Sequence, residues 1–188
     1  IMVDDGDPAL GQILEEIKAR EAAGYSYDTA QASFELLARR ALGQMPRFFE
    51  VKRYRVTVER RKNKYDKMVS LSEAVVVVKI GDQKMLSVSE SMDETGSDRG
   101  PVNALSKALA KDLGPYQSYI DTIRLVDFKV RITQGGTEAV TRVIIDSEDD
   151  TGRRWSTVGV SANIVDASFE ALLDAVHWKL IQDGAPAS

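Results

Sequence analysis

Two stretches of this chain carry the same succession of elements, and that repeat constrains the fold more than any other feature. In the first, Tyr54, Val56 and Val58 alternate with Arg53, Arg55, Thr57 and Glu59, the two-residue period of a strand with one wet face. Asn63, Lys64 and Asp66 supply a turn, residues 74–80 form a valine-dense strand, Gly81 and Asp82 turn the chain, and residues 84–89 form a third strand. A polar loop over 91–99 leads to Gly100 and Pro101. Proline suits the first turn of a helix. Val102, Leu105 and Leu109 give that helix an apolar stripe before Gly114 and Pro115 end it.

The order then recurs. Val126, Phe128, Val130 and Ile132 alternate with Asp127, Lys129 and Arg131. Gly135 and Gly136 predict a hairpin turn, 139–146 and 154–160 predict strands around an acidic, solvated tip at 148–152, and a helix starts near Asn163. Val165, Phe169, Leu172, Val176 and Leu180 are its inward face. Three segments match across the halves: Tyr54-Arg55-Val56-Thr57-Val58 with Phe128-Lys129-Val130-Arg131-Ile132, Glu73-Ala74-Val75 with Glu138-Ala139-Val140, and Val102-Asn103-Ala104 with Val165-Asp166-Ala167. The predicted class is therefore α+β. Two βββα units over 48–183, each too small to bury much alone, form a layered domain. Residues 184–188 are a short tail.

Residues 1–47 read differently, as a helical linker subdomain. Leu10, Ile13, Leu14 and Ile17 recur at helical spacing until Gly24. After a Tyr25–Tyr27 link, Asp28 or Thr29 can cap a second helix striped by Phe34, Leu37 and Leu42 and stopped by Gly43 and Pro46. Two short amphipathic helices need a neighbour, which suggests packing against another domain.

Composition removes several classes of function. A net charge of −4 argues against a nucleic-acid partner, and no stretch approaches the roughly 20 apolar residues that span a bilayer. The absence of cysteine excludes disulfides and thiol chemistry and fits a reducing, cytoplasmic setting. A single histidine, His177, sits near a helix end, where a surface or capping role is ordinary, and no nucleophile, phosphate-loop or zinc motif occurs. No catalytic residue, metal ligand or cofactor site is expected in this chain. Glu148, Asp149 and Asp150 lack calcium-loop spacing, and Trp155 is expected to pack.

The stretch Gly100-Pro101-Val102-Asn103-Ala104-Leu105, with its counterpart from Trp155 through Ser168, resembles the helix starts in the regulatory domain of the 2-isopropylmalate synthase family. Gly24-Tyr25-Ser26-Tyr27, Ala32-Ser33-Phe34-Glu35-Leu36-Leu37 and Arg40-Ala41-Leu42-Gly43 are similar to the linker of its citramalate synthase branch. The resemblance implies a longer, dimeric acyltransferase. Its metal-dependent TIM barrel, which condenses acetyl-CoA with a 2-keto acid, needs histidines that this chain lacks. It also implies that a branched-chain amino acid binds near the dimer interface and inhibits the distant barrel. The implied effector is isoleucine in the citramalate branch and leucine in the other.

Carried over, the effector site comprises Gly100, Pro101, Val102, Asn103 and Ala104, then Asp127 and Lys129, then Glu138, Ala139 and Thr141, with Asp98 as a second candidate for the effector's ammonium group. A helix start suits a carboxylate, because its outward N–H groups and dipole favour negative charge. Two alternatives stand beside this. Gly100-Pro101 is also an ordinary loop-to-helix junction, and Asp127 also suits a solvated strand face. The family often has a second glycine where Ser97-Asp98-Arg99 stands here, and this departure fits a dimerisation module without effector binding.

Overall fold

The computed structural model describes residues 8–93, 100–111, 113–133 and 139–188. The expected hairpin at Gly135-Gly136, the site candidates Asp98 and Glu138, and most of the polar loop lie outside the described residues. The chain separates into two compact units. One joins Ile1–Pro46 to Thr122–Ala185; the other joins Arg47–Asp121 to Pro186–Ser188.

The first repeat forms a three-stranded antiparallel sheet in the order β1 (Glu50–Lys62), β2 (Met68–Ile80), β3 (Gln83–Asp93), followed by α3 (Pro101–Lys111). A 3-10 turn, Gly114–Tyr116, and a one-turn helix α4, Gln117–Ile120, complete it. Ala74, Val76 and Val78 of β2 are buried, as are Ala104, Leu105, Ala108 and Leu109 of α3, so Leu105 and Leu109 of the predicted stripe lie on the core face and Val102 is half-buried at its border. Phe48 meets Tyr116 edge-on at 5.5 Å, and the Tyr116 hydroxyl donates to the Pro186 carbonyl at 3.0 Å.

The second repeat has the same plan: β4 (Arg124–Ile132), β5 (Thr141–Glu148), β6 (Arg154–Ser161) and α5 (Ile164–Gln182). The registers align the repeats residue by residue. Val56 opposes Ala74, which opposes Ser89; Val130 opposes Val143, which opposes Gly159. A bulge interrupts the first strand at the same place in both, between Val51 and Arg53 and between Leu125 and Asp127. Ala74 thus corresponds to Val143, not to Ala139 as the segment matching had it. Sequence similarity slid across a valine-rich stretch that the ladder fixes.

Asn163 caps α5 by accepting from the Val165 amide at 2.8 Å, as expected of a helix starting there. Val143, Ile145 and Thr157 are fully buried on the α5 side of the sheet, and Thr157 donates to the Ala171 carbonyl at 2.8 Å. The closest approach is at Gly159, where an added Cβ would stand 1.9 Å from the Ala167 carbonyl oxygen. Trp155 is buried and stacks on Trp178 at 5.2 Å.

The linker helices α1 (Pro8–Ala22) and α2 (Gln31–Ala41) belong to this same unit. α2 packs on α5 and β6, so its neighbour lies within this chain. Gly24, at φ 109°, ends α1 while the Tyr25 amide reaches back to the Arg20 carbonyl. Neither Asp28 nor Thr29 caps α2. Its first flanking residue is Ala30, without a side-chain cap, and a buried cluster of Tyr27, Ala30, Leu37 and Val158 fixes the entry instead. The buried stripe runs through Ala32, Ser33, Leu36 and Leu37, which leaves Phe34 largely exposed.

Two titratable residues depart from their expected surface roles. Asp149, at the β5–β6 tip, is fully buried: it accepts from the Thr151 and Arg153 amides, the Thr151 hydroxyl and the Lys179 ammonium, whose Nζ lies 2.9 Å away. Burial alone would raise its carboxyl; these donors outweigh it and hold the group well below the carboxylate range. His177 is half-buried rather than a surface cap. Burial, reinforced by the nearby Arg40 charge, lowers its imidazole from 6.5 to about 4.

Two outcomes follow. Gly159→Ala forces the α5 backbone away from β6 and lowers unfolding stability by about 1–3 kcal/mol, read from urea denaturation at constant slope. The unfolded chain takes up the His177 proton near pH 6.5 and the folded chain only near pH 4. Stability is therefore full above about 6.5 and falls on acidification through that window, by at most about 1.4 kcal/mol per pH unit. In His177→Gln the difference between wild-type and variant urea midpoints shrinks from pH 7 to pH 4.5.

Candidate effector site

The described candidate residues are held by three elements in two units, α3 in one and β4 and β5 in the other. In the first-repeat unit, Gly100 is exposed and precedes α3; a side chain placed on it would meet nothing within 4 Å, so packing of that unit does not demand glycine here. Pro101 opens the helix and carries no N–H. The Ala104 amide closes onto the Gly100 carbonyl at 3.2 Å, so the helical ladder begins at Gly100. Pro101, Val102 and Asn103 are half-buried, and the Ala104 side chain is wholly in the core.

In the other unit the structure groups some candidates and separates others. Asp127 and Lys129 lie two apart on exposed β4 and share a face; the Lys129 ammonium sits 2.8 Å from Asp127 and 2.9 Å from Asp146 of β5. The Asp127 carboxyl is pulled below its usual range by Lys129 and then by the Phe128 amide, and the Lys129 ammonium is raised by Asp127 and Asp146. Thr141 opposes Ile132, five positions along the ladder from the Asp127–Asp146 pair, a separation of roughly 17 Å at strand rise. It also points to the α5 side, whereas Asp127 and Lys129 point to the opposite face. Ala139, just before β5, is half-buried. Asp127 therefore has a resident cation, and an effector ammonium group would compete with Lys129 for it.

That opposite face is where the linker lies. The Arg142 guanidinium on β5 donates to the carbonyls of Gly24 and Tyr25, and Tyr25, Ile144 and Val160 pack against the Tyr27–Ala30–Leu37–Val158 cluster. Sequence reasoning missed Arg142, because a charged residue in a half-wet strand looks like solvent-facing alternation.

The apolar side of the first strand of each repeat is only partly covered: Tyr54, Val56 and Phe128 are half-buried, whereas Val58 is 52% exposed, Val130 41% and Ile132 70%, and Leu125 and Val126 are exposed as well. Alternation identified a strand with one apolar side but could not say whether that side is covered within one chain.

The model of the LeuA allosteric (dimerisation) domain matches residues 28–180, which takes in both repeats and α2. This chain belongs to that family. It is 44% identical over 96% of its length to an (R)-citramalate synthase of Geobacter sulfurreducens and 38% identical over 97% to one of Aquifex aeolicus. It covers 32% and 33% of those proteins. A probable 2-isopropylmalate synthase of Archaeoglobus fulgidus is 33% identical over 43% of the chain. The chain thus spans about a third of the length of these citramalate synthases. Among its described residues, no helix is long and apolar enough to cross a membrane.

Arg142→Met removes the donors that hold Gly24 and Tyr25. At about 1.5–3 kcal/mol for hydrogen bonds to a charged group, the linker should open more often. Faster tryptic cleavage after Arg20, with the sheet's near-ultraviolet signal retained, is the expected result.

Proposed function

We propose that this chain is the regulatory domain of a citramalate synthase-like enzyme that condenses acetyl-CoA with a 2-keto acid, and that it performs no catalysis itself. The observation that carries this is the extent of similarity. Citramalate synthases match along nearly the whole chain, linker helices included, whereas three 2-isopropylmalate synthases match over 42–57% of it. In this reading the domain forms a homodimer and binds a branched-chain amino acid, isoleucine before leucine, as feedback inhibitor of a TIM barrel in the rest of the parent protein, in the cytoplasm. The effector carboxylate is placed at the start of α3, with the side chains of Val102 and Asn103 beside it. The exposed apolar strip on β4, Leu125, Val126, Val130 and Ile132, supports the homodimer, since apolar area of this kind marks interaction surfaces.

A second reading, a dimerisation module without effector binding, is favoured by one observation: Asp127 is already engaged by Lys129. Calorimetric titration with isoleucine, leucine, valine and threonine separates the two. Under the first reading isoleucine gives heat, and at 100 times its dissociation constant it adds about 2.7 kcal/mol to stability. Gly100→Asp places a carboxylate where the effector's would sit and has room in the fold, so it abolishes the heat without lowering the melting temperature. Heat from none of the four amino acids leaves the module.

The homodimer is tested separately. Val130→Lys with Ile132→Lys puts two charges on the exposed strip of β4 and should shift sedimentation toward the monomer while the circular dichroism spectrum is kept. An unchanged dimer would move the interface elsewhere.

A further inference from the structure

The outer edge of the second sheet is occupied. The Val158 amide donates to the Ser33 hydroxyl at 3.0 Å, which itself donates to Asp174 at 2.7 Å, and Arg40 of α2 meets the same carboxylate at 2.6 Å. One turn earlier on α5, Glu170 accepts from the Val160 amide at 3.0 Å and the Tyr25 hydroxyl at 2.6 Å, with Arg20 of α1 at 3.6 Å. Two acidic positions on α5, one turn apart, thus seat a pair of helices that bring arginines to the strand edge.

The first sheet has the same edge with the charge reversed. By the ladder registers Val88 stands where Val158 stands, and by the helix match Lys107 and Lys111 stand where Glu170 and Asp174 stand. The geometry confirms the correspondence: the Lys111 ammonium donates to the Val88 carbonyl at 2.8 Å, just as Asp174 reaches the Val158 amide through Ser33. Among the described residues the sheet ends at β3, where Val88 is 37% exposed. An open groove runs between this edge and α3, lined by Val88, Ser89, Lys107, Lys111, Gln117 and Asp121.

We infer that this groove is the seat of an acidic amphipathic helix from the part of the parent protein that lies outside these residues. It is held at β3 and α3 as α2 is held at β6 and α5, with carboxylates one turn apart meeting Lys107 and Lys111. A second copy's linker helices are the wrong occupant, because the residues they turn to such a groove are Arg20 and Arg40, which the lysines repel. The source follows from length, since the relatives carry about two thirds of their chain beyond this domain. The inference rests on the reading of this chain as part of a longer synthase, and it is independent of whether an amino acid binds at α3.

The experiment uses the full-length protein with a benzophenone amino acid at position 88, photolysed and mapped by mass spectrometry. The expected adduct is on a peptide outside these 188 residues that carries Asp or Glu at helical spacing. It should weaken as salt rises and vanish in Lys107→Glu with Lys111→Glu, while circular dichroism stays unchanged. Lys107→Glu alone, which leaves the Lys111 contact to Val88 in place, should weaken it as well. Adducts confined to these 188 residues, no adduct at all, or an adduct indifferent to charge reversal would each overturn the inference. Amino-acid calorimetry on the same protein reports on effector binding separately.

Discussion

Three strands at about 4.8 Å spacing make a surface broader than one helix of about 10 Å diameter can cover once side chains are counted. In both repeats the helix sits over the second and third strands, and the first strand is left at the rim. Val143, Ile145 and Thr157 are sealed under α5 while Val130 and Ile132 on the same face are open. The first repeat carries the matching exposure at Val58. Burying the centre of each sheet with a single helix thus obliges the edge strands to find cover elsewhere. That requirement recurs at the other face and the far edge of the second sheet.

The other face and the far edge of the second sheet show how the chain answers it. Ile144, Val158 and Val160 would be open on the side away from α5 if the linker did not return over them, pinned by Arg142 and by the Tyr27 cluster. The edge amides of Val158 and Val160 would lack protein acceptors if Ser33 and Glu170 did not supply oxygen. The linker is therefore structural for the second repeat as well as a tether. A buried serine and aspartate at this seam place polar atoms where unpaired backbone groups would cost more than the side chains do.

Periodicity made the duplicated βββα order, the start of α3 at Pro101 and the Asn163 cap legible, because each is a local signal: a two-residue period, a missing amide, a side-chain acceptor. What stayed hidden depends on what lies across from a residue. Asp149 looked like a solvated tip because nothing near it in sequence announces Lys179, thirty residues on. His177 looked like a cap because its helix end gave no sign of the elements packed around it. The candidate site divides the same way. A helix start was readable, but the pairing of Asp127 with Lys129 and the separation of Thr141 from both are facts of register. Register within a valine-rich hairpin is weakly written in the sequence, and the slip of four residues in matching Ala74 shows how weakly.

Duplication usually copies a surface together with a core, yet here the two have parted. Ala104 and Ala167, Ala108 and Ala171, Leu109 and Leu172 keep the buried stripe of the helix nearly unchanged. The positions that border the strand edge do not follow: Lys107 answers Glu170 and Lys111 answers Asp174. Burial holds the first set, since a change in volume there disrupts packing. The second set is selected only by what it touches. In the second repeat that contact is this chain's own linker with its arginines. A reversal of charge at both positions, with the helix and the strand edge otherwise conserved in geometry, is what two different neighbours would produce. One neighbour has already been taken from within the chain.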